Sequence, residues 1–442
     1  MLLVTLPAAP ATAQNCAGTS VGFTPLNDLG TGTYQGFQGG LYPGGTNARP
    51  IAHEIAGLAE AAQVVPRAAG GALDLANGKI GFVSIGMSNC VIHFNAFMQV
   101  AASDAAKSPR VVLANCAQGG QTAAILANPS AAYWTSWVPS KLAAAGLSAA
   151  QVQVAWFLEA DAGPTQPFPQ DAQTLQAEFT TIMGILRTNY PNLRVLYTAS
   201  RIYAGYATTT LNPEPWAYQQ GFANKWLIED QISGNPALNF AASSGPVVSP
   251  WIAWGPYMWA DGLNPRSDGL TWVCPGDFNA DGTHPSAQGA AKNAAYLLDF
   301  VHADSTAQSW YLAQPAPVVF GTGKTTSIGS TPKIAWTGTP SIAANQFQIQ
   351  LSGGVPGKPV LALWGNRPGL APLFNGSLYI QPPVFRLNGH VLDANGATTY
   401  SLGLAPALLG VTRDFQFWFR DPLHADGTGA GLSNALQVRF YN

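Results

Sequence analysis

The chain has 442 residues, a net charge of −2 and only 10% charged residues, against about 25% in a typical soluble domain. A chain of this length usually forms more than one domain, and its 47% hydrophobic residues argue against long disorder. Because it lacks the basic surface that a phosphate backbone requires, its composition argues against nucleic acid as a partner. The 47 glycines and 34 prolines indicate many turns and short strands rather than a helical bundle.

The first segment, residues 1–14, reads "MLLVTLPAAPATAQ" and ends in an A-x-A pattern at Ala11–Ala13 that is typical of signal-peptidase cleavage. The basic region of a complete signal is missing. We interpret the segment as a residual export signal, with a disordered apolar N-terminus as the alternative. No later segment reaches the roughly 18 apolar residues of a membrane span. We therefore expect a chain without a membrane span that is secreted or held at the cell surface, in an extracellular or periplasmic location.

An α/β domain is predicted over residues 15–313. Its near-continuous apolar runs predict buried strands of a parallel sheet covered on both faces; these runs are residues 79–86, 110–116, 152–160, 193–200 and 246–255. Helical patterns follow over 171–188, where Asp171 would be the N-cap, and over 216–232 and 287–301. This alternation predicts a doubly wound α/β sheet, in which ligands bind beyond the carboxyl ends of the strands.

The remainder, residues 314–442, is predicted to be a separate all-β sandwich domain. A stretch rich in Pro, Gly and Thr at 313–332 marks the joint, and short alternating segments follow with turn residues between them. The "GTGKTT" at 321–326 lacks the first glycine of a phosphate loop, so we interpret it as a linker. We expect this domain to be an accessory or sorting module without a catalytic set.

Three segments that follow predicted strands carry residues suited to catalysis. Ser88 comes directly after the first strand, and Asp281 precedes His284 by three residues just before the last helix. Histidine is the usual base for activating a serine, and a carboxylate on its far nitrogen fixes the tautomer. Gly119 and Gly120 follow the second strand, where backbone N–H groups freed by a glycine turn can point at a developing oxyanion.

Together these segments resemble the SGNH (GDSL-like) hydrolase family of esterases and lipases over residues 78–303. The resemblance implies a flavodoxin-like sheet, no metal and no cofactor. It assigns Ser88 as the nucleophile, His284 as the base and Asp281 as its orienting carboxylate, with the amides of Gly120 and Ser88 as oxyanion donors. The C-terminal domain is loosely similar to β-domains appended to secreted bacterial proteins.

The segment after the third predicted strand departs from the family pattern, which carries an asparagine there as a further oxyanion donor. This chain has Ala160 or Asp161 there, depending on the alignment. An ionised Asp161 would repel the oxyanion and would help only if burial kept it protonated. The hypotheses left open are an oxyanion hole with two donors, one completed by Asn89 or Gln118, or weak catalysis.

The four cysteines fit export, because an oxidising compartment allows them to pair. Cys90 and Cys116 follow what should be neighbouring strands, and adjacent strands about 4.8 Å apart permit the Cα separation of a disulfide. We predict a Cys90–Cys116 bridge that clamps the nucleophile turn to the glycine loop, with Cys16 paired to Cys274. The alternative is four buried free thiols.

Two competing interpretations concern the surroundings of the site. Asp277, Asn279, Asp281 and Gly282 match the opening of a calcium loop, but Gln288 stands where a bidentate acid is required. Aromatic residues also crowd the loops near the site and could form a platform for sugars or for an aromatic or polymeric ester; the alternative is that about half of them, with Trp251 and Trp254 as strand residues, belong to the core. The aromatic residues are Trp134, Trp137, Tyr203, Tyr206, Trp251, Trp254, Tyr257, Trp259 and Trp272.

From these observations we expect a secreted serine esterase that hydrolyses O-acetyl or other short acyl esters through an acyl-enzyme on Ser88. The expected partner is an ester substrate, most simply a glycan or polymer. Two alternatives remain: a lipase or polyester hydrolase of the same fold, and a non-catalytic glycan-binding or surface protein.

Overall fold

The structure is a computed structural model that describes residues 14–442; the predicted export-signal segment lies outside this range except for its last residue. The helices are α1 (Leu26–Leu29), α2 (Ile51–Ala61), α3 (Ser88–Ala102), α4 (Ala123–Leu126), α5 (Val138–Ala144), α6 (Gln170–Asn189), α7 (Trp216–Ile232), α8 (Ala287–Ala303) and α9 (Gln308–Tyr311). The strands of the N-terminal half are β1 (Thr33–Tyr34), β2 (Phe37–Gln38), β3 (Ile80–Gly86), β4 (Val111–Asn115), β5 (Val152–Leu158), β6 (Val195–Thr198) and β7 (Trp251–Trp254). Those of the C-terminal part are β8 (Val318–Phe320), β9 (Lys333–Thr337), β10 (Gln348–Ser352), β11 (Pro359–Gly365), β12 (Pro368–Leu373), β13 (Gly376–Ile380), β14 (Phe385–Arg386), β15 (His390–Val391), β16 (Thr398–Ser401), β17 (Thr412–Arg420) and β18 (Ala430–Arg439).

A five-stranded parallel sheet, in the order β4-β3-β5-β6-β7, organises the first part of the chain. Counted along the chain, this order is 2-1-3-4-5, which is that of flavodoxin-like doubly wound sheets. Every residue of β3, β5, β6 and β7 is buried, which explains why these strands are continuous apolar runs. The five predicted strands are confirmed, although the last is shorter than expected.

Helices cover both faces of this sheet. On one face α3 packs against α8, over a core that includes Phe94, Trp156 and Leu297. On the other face α6 packs against α7, over a core that includes Phe157 and Phe179. The three predicted helices are confirmed as α6, α7 and α8.

The predicted N-cap of α6 is wrong. The helix begins at Gln170 and Pro169 occupies the cap, so Asp171 lies one position inside the first turn. There its carboxyl group still faces the positive end of the helix dipole.

The C-terminal part is rich in antiparallel strands. One sheet has the order β14-β11-β17-β18-β8, with β15 also paired to β11, and a second has the order β16-β10-β9. The two sheets share one core, to which Ile349 and Tyr400 contribute from the smaller sheet and Phe417 and Leu436 from the larger. The predicted β-rich region is thus confirmed. The domain boundary near residue 314, which falls between α9 and β8, stays a prediction.

A disulfide between Cys16 and Cys274, with their Cα atoms 5.3 Å apart, fixes the N-terminal segment to the loop before Asp281. Two hydrogen bonds extend this attachment: the Asn15 amide donates to the Tyr206 carbonyl at 3.0 Å, and the Tyr203 hydroxyl donates to the Gly18 carbonyl at 2.6 Å. This half of the cysteine prediction is confirmed.

The predicted Cys90–Cys116 bridge is wrong. All four cysteines lie in the described residues, and Cys90 and Cys116 are separate buried thiols. Cys90 belongs to the core under α3, whereas Cys116 belongs to the core on the opposite face of the sheet. The strand-spacing argument fails because Cys90 lies on a helix, and a helical side chain does not follow the strand register. Burial raises the pKa of Cys116 to about 12, so this thiol stays protonated at neutral pH.

The predicted aromatic platform is also wrong. Eight of its nine residues are buried in the core, and only Trp137 is half-buried. Because the faces of the other rings pack against protein, they do not form a surface on which a sugar could stack.

Turning to membrane segments, none of the helices between residues 14 and 442 combines the length and the apolar character that a membrane crossing requires.

Candidate active site

Ser88 lies at a sharp turn between β3 and α3, at the carboxyl edge of the parallel sheet. The strand ends at Gly86, whose φ of 146° and close neighbour leave no room for a side chain: an added Cβ would lie 1.9 Å from the Leu158 carbonyl oxygen. The Met87 amide donates to that same carbonyl at 3.3 Å. Ser88 is the first residue of α3, so the chain turns just before it and presents its hydroxyl at the start of the helix.

His284 and Asp281 meet Ser88 from the loop that precedes α8. His284 Nε2 lies 2.8 Å from Ser88 Oγ, and His284 Nδ1 lies 2.5 Å from Asp281 Oδ2. The three side chains thus form one hydrogen-bonded chain across 196 residues of sequence. When the proton of the neutral imidazole is on Nδ1, it is donated to Asp281 and Nε2 is left to accept the Ser88 hydroxyl proton.

The Asp281 carboxylate is well suited to hold the imidazole in this orientation. Its Oδ1 accepts the backbone N–H groups of Thr283 and His284, each at 3.0 Å. Burial alone would raise the pKa of Asp281, but the hydrogen bonds from the His284 ring and from the two amides outweigh burial and lower it. Asp281 therefore remains a carboxylate at neutral pH and can stabilise an imidazolium.

The predicted glycine loop lies beside Ser88. The Gln118 amide donates to the Gly86 carbonyl at 2.9 Å, which joins the loop to the end of β3. A Cβ placed on Gly119 would lie 3.7 Å from the Cβ of Ser88. The N–H of Gly120 donates to no group among the described residues, and Gly120 lines the same cavity as Ser88.

A cavity of about 210 Å³ opens over Ser88 and His284, and Gly120, Ala160 and Asp161 also line it. Both residues that could match the family's asparagine, Ala160 and Asp161, therefore lie at the site, but neither offers a side-chain donor there. Asp161 Oδ1 accepts the Ala124 N–H at 3.0 Å, so its carboxylate faces the start of α4 as an acceptor.

The two substitute donors considered from the sequence do not reach the cavity. Asn89 is fully buried and its Nδ2 donates to the Thr283 carbonyl at 3.3 Å. Gln118 contributes to the loop but is not among the residues that line the cavity. Neither Asn89 nor Gln118 therefore places a side-chain donor at the cavity.

Several cavity residues were not identified from the sequence, among them the polar residues Arg201 and Asn212. Arg201 comes three residues after β6, in "YTASR", and Asn212 lies in the loop that follows. A charged residue just beyond a buried parallel strand is the signal that could have identified Arg201, because ligands bind at the carboxyl ends of such strands.

The alternative calcium loop is not formed in this structure. Asp277 Oδ2 lies 2.5 Å from Lys292 Nζ and accepts the Val273 N–H at 2.7 Å, while Asp281 binds His284. The two carboxylates thus have different partners and do not converge. In the described part of the chain, no group of three or more His, Cys, Asp or Glu side chains is placed to hold a metal ion.

Comparisons with known proteins do not identify a family. No protein-family model and no curated protein sequence matches the chain. Among solved structures, the periplasmic domain of a lipopolysaccharide acetyltransferase from Salmonella ser. Paratyphi A is similar over 51% of this chain and 83% of its own, at 13% identity and a TM-score of 0.28. A gut microbial diltiazem-metabolizing enzyme is similar over 68% of this chain and 60% of its own, at 12% identity and a TM-score of 0.29. Similarities this weak carry no functional argument, and the class defined so far is a mixed α/β protein with a β-rich C-terminal part.

Proposed function

We propose that this protein is a secreted serine esterase of the SGNH (GDSL-like) type that hydrolyses short acyl esters through an acyl-enzyme on Ser88. The observation that supports this function is the continuous hydrogen-bonded chain from Ser88 through His284 to Asp281, with 2.8 Å and 2.5 Å between the bonded atoms. A serine hydroxyl bonded to a histidine, which is in turn bonded to a carboxylate, is the arrangement that activates a serine as a nucleophile.

The proposed reaction has two halves. His284 Nε2 takes the Ser88 hydroxyl proton as Oγ bonds to the ester carbonyl carbon, and the carbonyl electron pair moves to the oxygen. Collapse of this intermediate breaks the bond to the alcohol, which leaves with the proton from His284. A water molecule then attacks the acyl-enzyme in the same way, and the free acid and Ser88 are released.

The size of the cavity supports a short acyl group. Its volume of about 210 Å³ is below the range of about 300 to 1,000 Å³ that encloses drug-sized ligands. An O-acetyl or similar short-chain ester on a carbohydrate would place the acyl group inside and the larger alcohol outside. A lipase or polyester hydrolase would need space for a longer chain next to Ser88.

Export is supported by the disulfide between Cys16 and Cys274, because such bonds persist in oxidising compartments and are rare in the cytosol.

The decisive experiment combines labelling with turnover. A fluorophosphonate should add one adduct per chain at Ser88, and p-nitrophenyl acetate should be hydrolysed by the wild type but not by Ser88→Ala or His284→Ala. Ser103→Ala is the matched control, because Ser103 caps the other end of α3 and its hydroxyl is exposed. A series from acetyl to octanoyl esters should show the highest kcat/KM for the shortest chains.

Two outcomes would contradict the proposal. Equal background rates for wild type and Ser88→Ala would favour the non-catalytic glycan-binding protein. A preference for octanoyl over acetyl esters would favour the lipase or polyester hydrolase.

A further inference from the structure

Arg201 is a buried cation next to the proposed nucleophile. Its side chain is 1% exposed, and it lines the cavity over Ser88 and His284. In the sheet, β5 separates β3 from β6, so Ser88 and Arg201 follow strands on opposite sides of β5. Ala160, two residues after the end of β5, lines the same cavity with a methyl side chain.

The Arg201 guanidinium has no carboxylate partner. Among the described residues it makes no ion pair within 4 Å, and its Nε has no hydrogen-bond partner. Its one hydrogen bond is to the Asn212 carbonyl from Nη2 at 3.5 Å, which is at the outer limit for such a bond. Removing a charge from water without a partner costs free energy. The buried Arg201 guanidinium therefore favours binding of an anion in the cavity.

The surrounding acids leave this positive charge in place. Burial lowers the pKa of Arg201 only to about 10, because Glu214, Glu159 and Asp281 oppose the effect of burial, so the side chain is protonated at neutral pH. Glu214 is also buried, which raises its pKa to about 7, and its oxygens accept the N–H groups of Ala204, Tyr218 and Trp259 instead. Burial also raises the pKa of Glu159 well above its ordinary value, so its neutral form is favoured.

We propose that Arg201 is the third oxyanion donor of this site: its guanidinium binds the negative charge that develops on the ester carbonyl oxygen when Ser88 attacks. This inference rests on the proposed esterase function. It accounts for a cavity lined by Ser88 and Gly120, whose amides the family resemblance assigns as donors, while Ala160 and Asp161 offer no side-chain donor. A full positive charge in a desolvated cavity stabilises an oxyanion at least as strongly as a neutral amide does.

The test compares Arg201→Met with wild type after Ser88-dependent hydrolysis of p-nitrophenyl acetate has been established. Loss of one oxyanion donor costs about 100- to 1000-fold in kcat, and we expect a loss of this size with KM little changed. The melting temperature should stay the same or rise, because replacing a buried unpaired charge by an apolar chain removes its desolvation cost. Arg201→Lys, which keeps the charge but not the planar fork, should be intermediate.

A rescue variant and a matched control sharpen the test. Ala160→Asn in the Arg201→Met background places a neutral amide at one of the two positions that could match the family's asparagine, and it should recover part of the lost kcat. Arg439→Met removes an arginine without an ion pair among the described residues, whose Nη1 donates to the Val64 carbonyl at 3.3 Å outside the cavity. This control should keep the wild-type kcat.

Three results would overturn the inference. The first is a folded Arg201→Met variant with kcat within about tenfold of wild type. The second is an unchanged kcat for the neutral acetate together with a raised KM for the p-nitrophenyl hemiester of succinate, which would make Arg201 a binding site for an anionic substrate group. The third is a loss of activity in Arg201→Met that disappears once kcat is calculated per folded molecule. If the methionine variant does not fold, Arg201→Leu, which also lacks a donor, is measured with the same expectations. If wild type shows no Ser88-dependent turnover, the esterase proposal fails instead.

Discussion

Changing Asp281 to Asn should abolish most of the turnover and keep the fold. The asparagine carbonyl oxygen can still accept the two amides that Asp281 Oδ1 accepts at 3.0 Å, from Thr283 and His284. Its NH₂ group would then face His284 Nδ1, where Asp281 Oδ2 now lies at 2.5 Å. Since an NH₂ group only donates, Nδ1 would have to accept and the imidazole proton would move to Nε2. That nitrogen could then no longer take the Ser88 proton.

The expected size of this loss is that of the same change in another serine enzyme. The equivalent carboxylate-to-amide change in a serine protease lowers kcat about 10⁴-fold, which corresponds to about 5 kcal/mol of transition-state stabilisation. The free energy of unfolding should fall by only about 1–3 kcal/mol, because the hydrogen bonds to a charged acceptor become bonds to a neutral one.

The assay is kcat for p-nitrophenyl acetate, measured beside the melting temperature. Asp74→Asn is the matched control, because Asp74 Oδ1 also accepts two backbone amides, those of Ala76 at 3.2 Å and Asn77 at 2.9 Å, but in a turn far from Ser88 in the fold. If Asp281→Asn kept kcat within about tenfold of wild type while remaining folded, the tautomer argument would be refuted and Asp281 would not be the orienting carboxylate.

Three further predictions concern stability. Replacing Cys16 and Cys274 by serine should lower the free energy of unfolding by up to about 5 kcal/mol, because the bond closes a loop of 258 residues; an unchanged melting temperature with and without dithiothreitol would contradict this. Gly86→Ala should cost at least about 2 kcal/mol and displace the serine turn, since the new Cβ would lie 1.9 Å from the Leu158 oxygen; denaturant unfolding and fluorophosphonate labelling measure the two effects. The lowered pKa of Asp281 means that its stabilising contribution is complete above its unfolded value of about 3.9 and is lost as the pH falls through the lower folded value. The unfolding free energies of wild type and Asp281→Asn should therefore approach each other as the pH falls below about 3.9, and a constant difference between them would show that this carboxylate does not titrate as stated.

The central sheet could be predicted from the sequence because four of its five strands are buried along their whole length and are therefore mostly apolar. Where burial is one-sided or the segment is short, the pattern was less informative. The last strand was predicted over residues 246–255 but covers only Trp251–Trp254, since Pro246 and Pro250 cannot donate to the ladder. The helix α2 was missed, and its Gly57 is explained only by a tertiary contact: a Cβ there would lie 2.3 Å from a ring carbon of Trp251.

The candidate site was predictable to the extent that its chemistry is local. Asp281 and His284 lie three residues apart on one turn, so their contact follows from spacing. The position of Ser88 followed from the strand end. Arg201 could not be placed in the cavity in the same way, because its role depends on how far a long side chain reaches past the neighbouring strand end. The same limit explains the wrong disulfide, which depended on the direction of the Cys90 side chain rather than on its place in the sequence.

The attachment of the N-terminal segment also sets the order in which this molecule can mature. A ribosome delivers Cys16 early, whereas its partner Cys274 follows 258 residues later, and Ser88 precedes His284 by 196 residues. Until the last of these residues has emerged, Cys16 lacks its native partner and Ser88 lacks His284. Formation of the disulfide and the meeting of Ser88 with His284 thus become late events of the same stage of biogenesis. An oxidant that acted before residue 274 emerged would find only Cys90 and Cys116 as partners for Cys16.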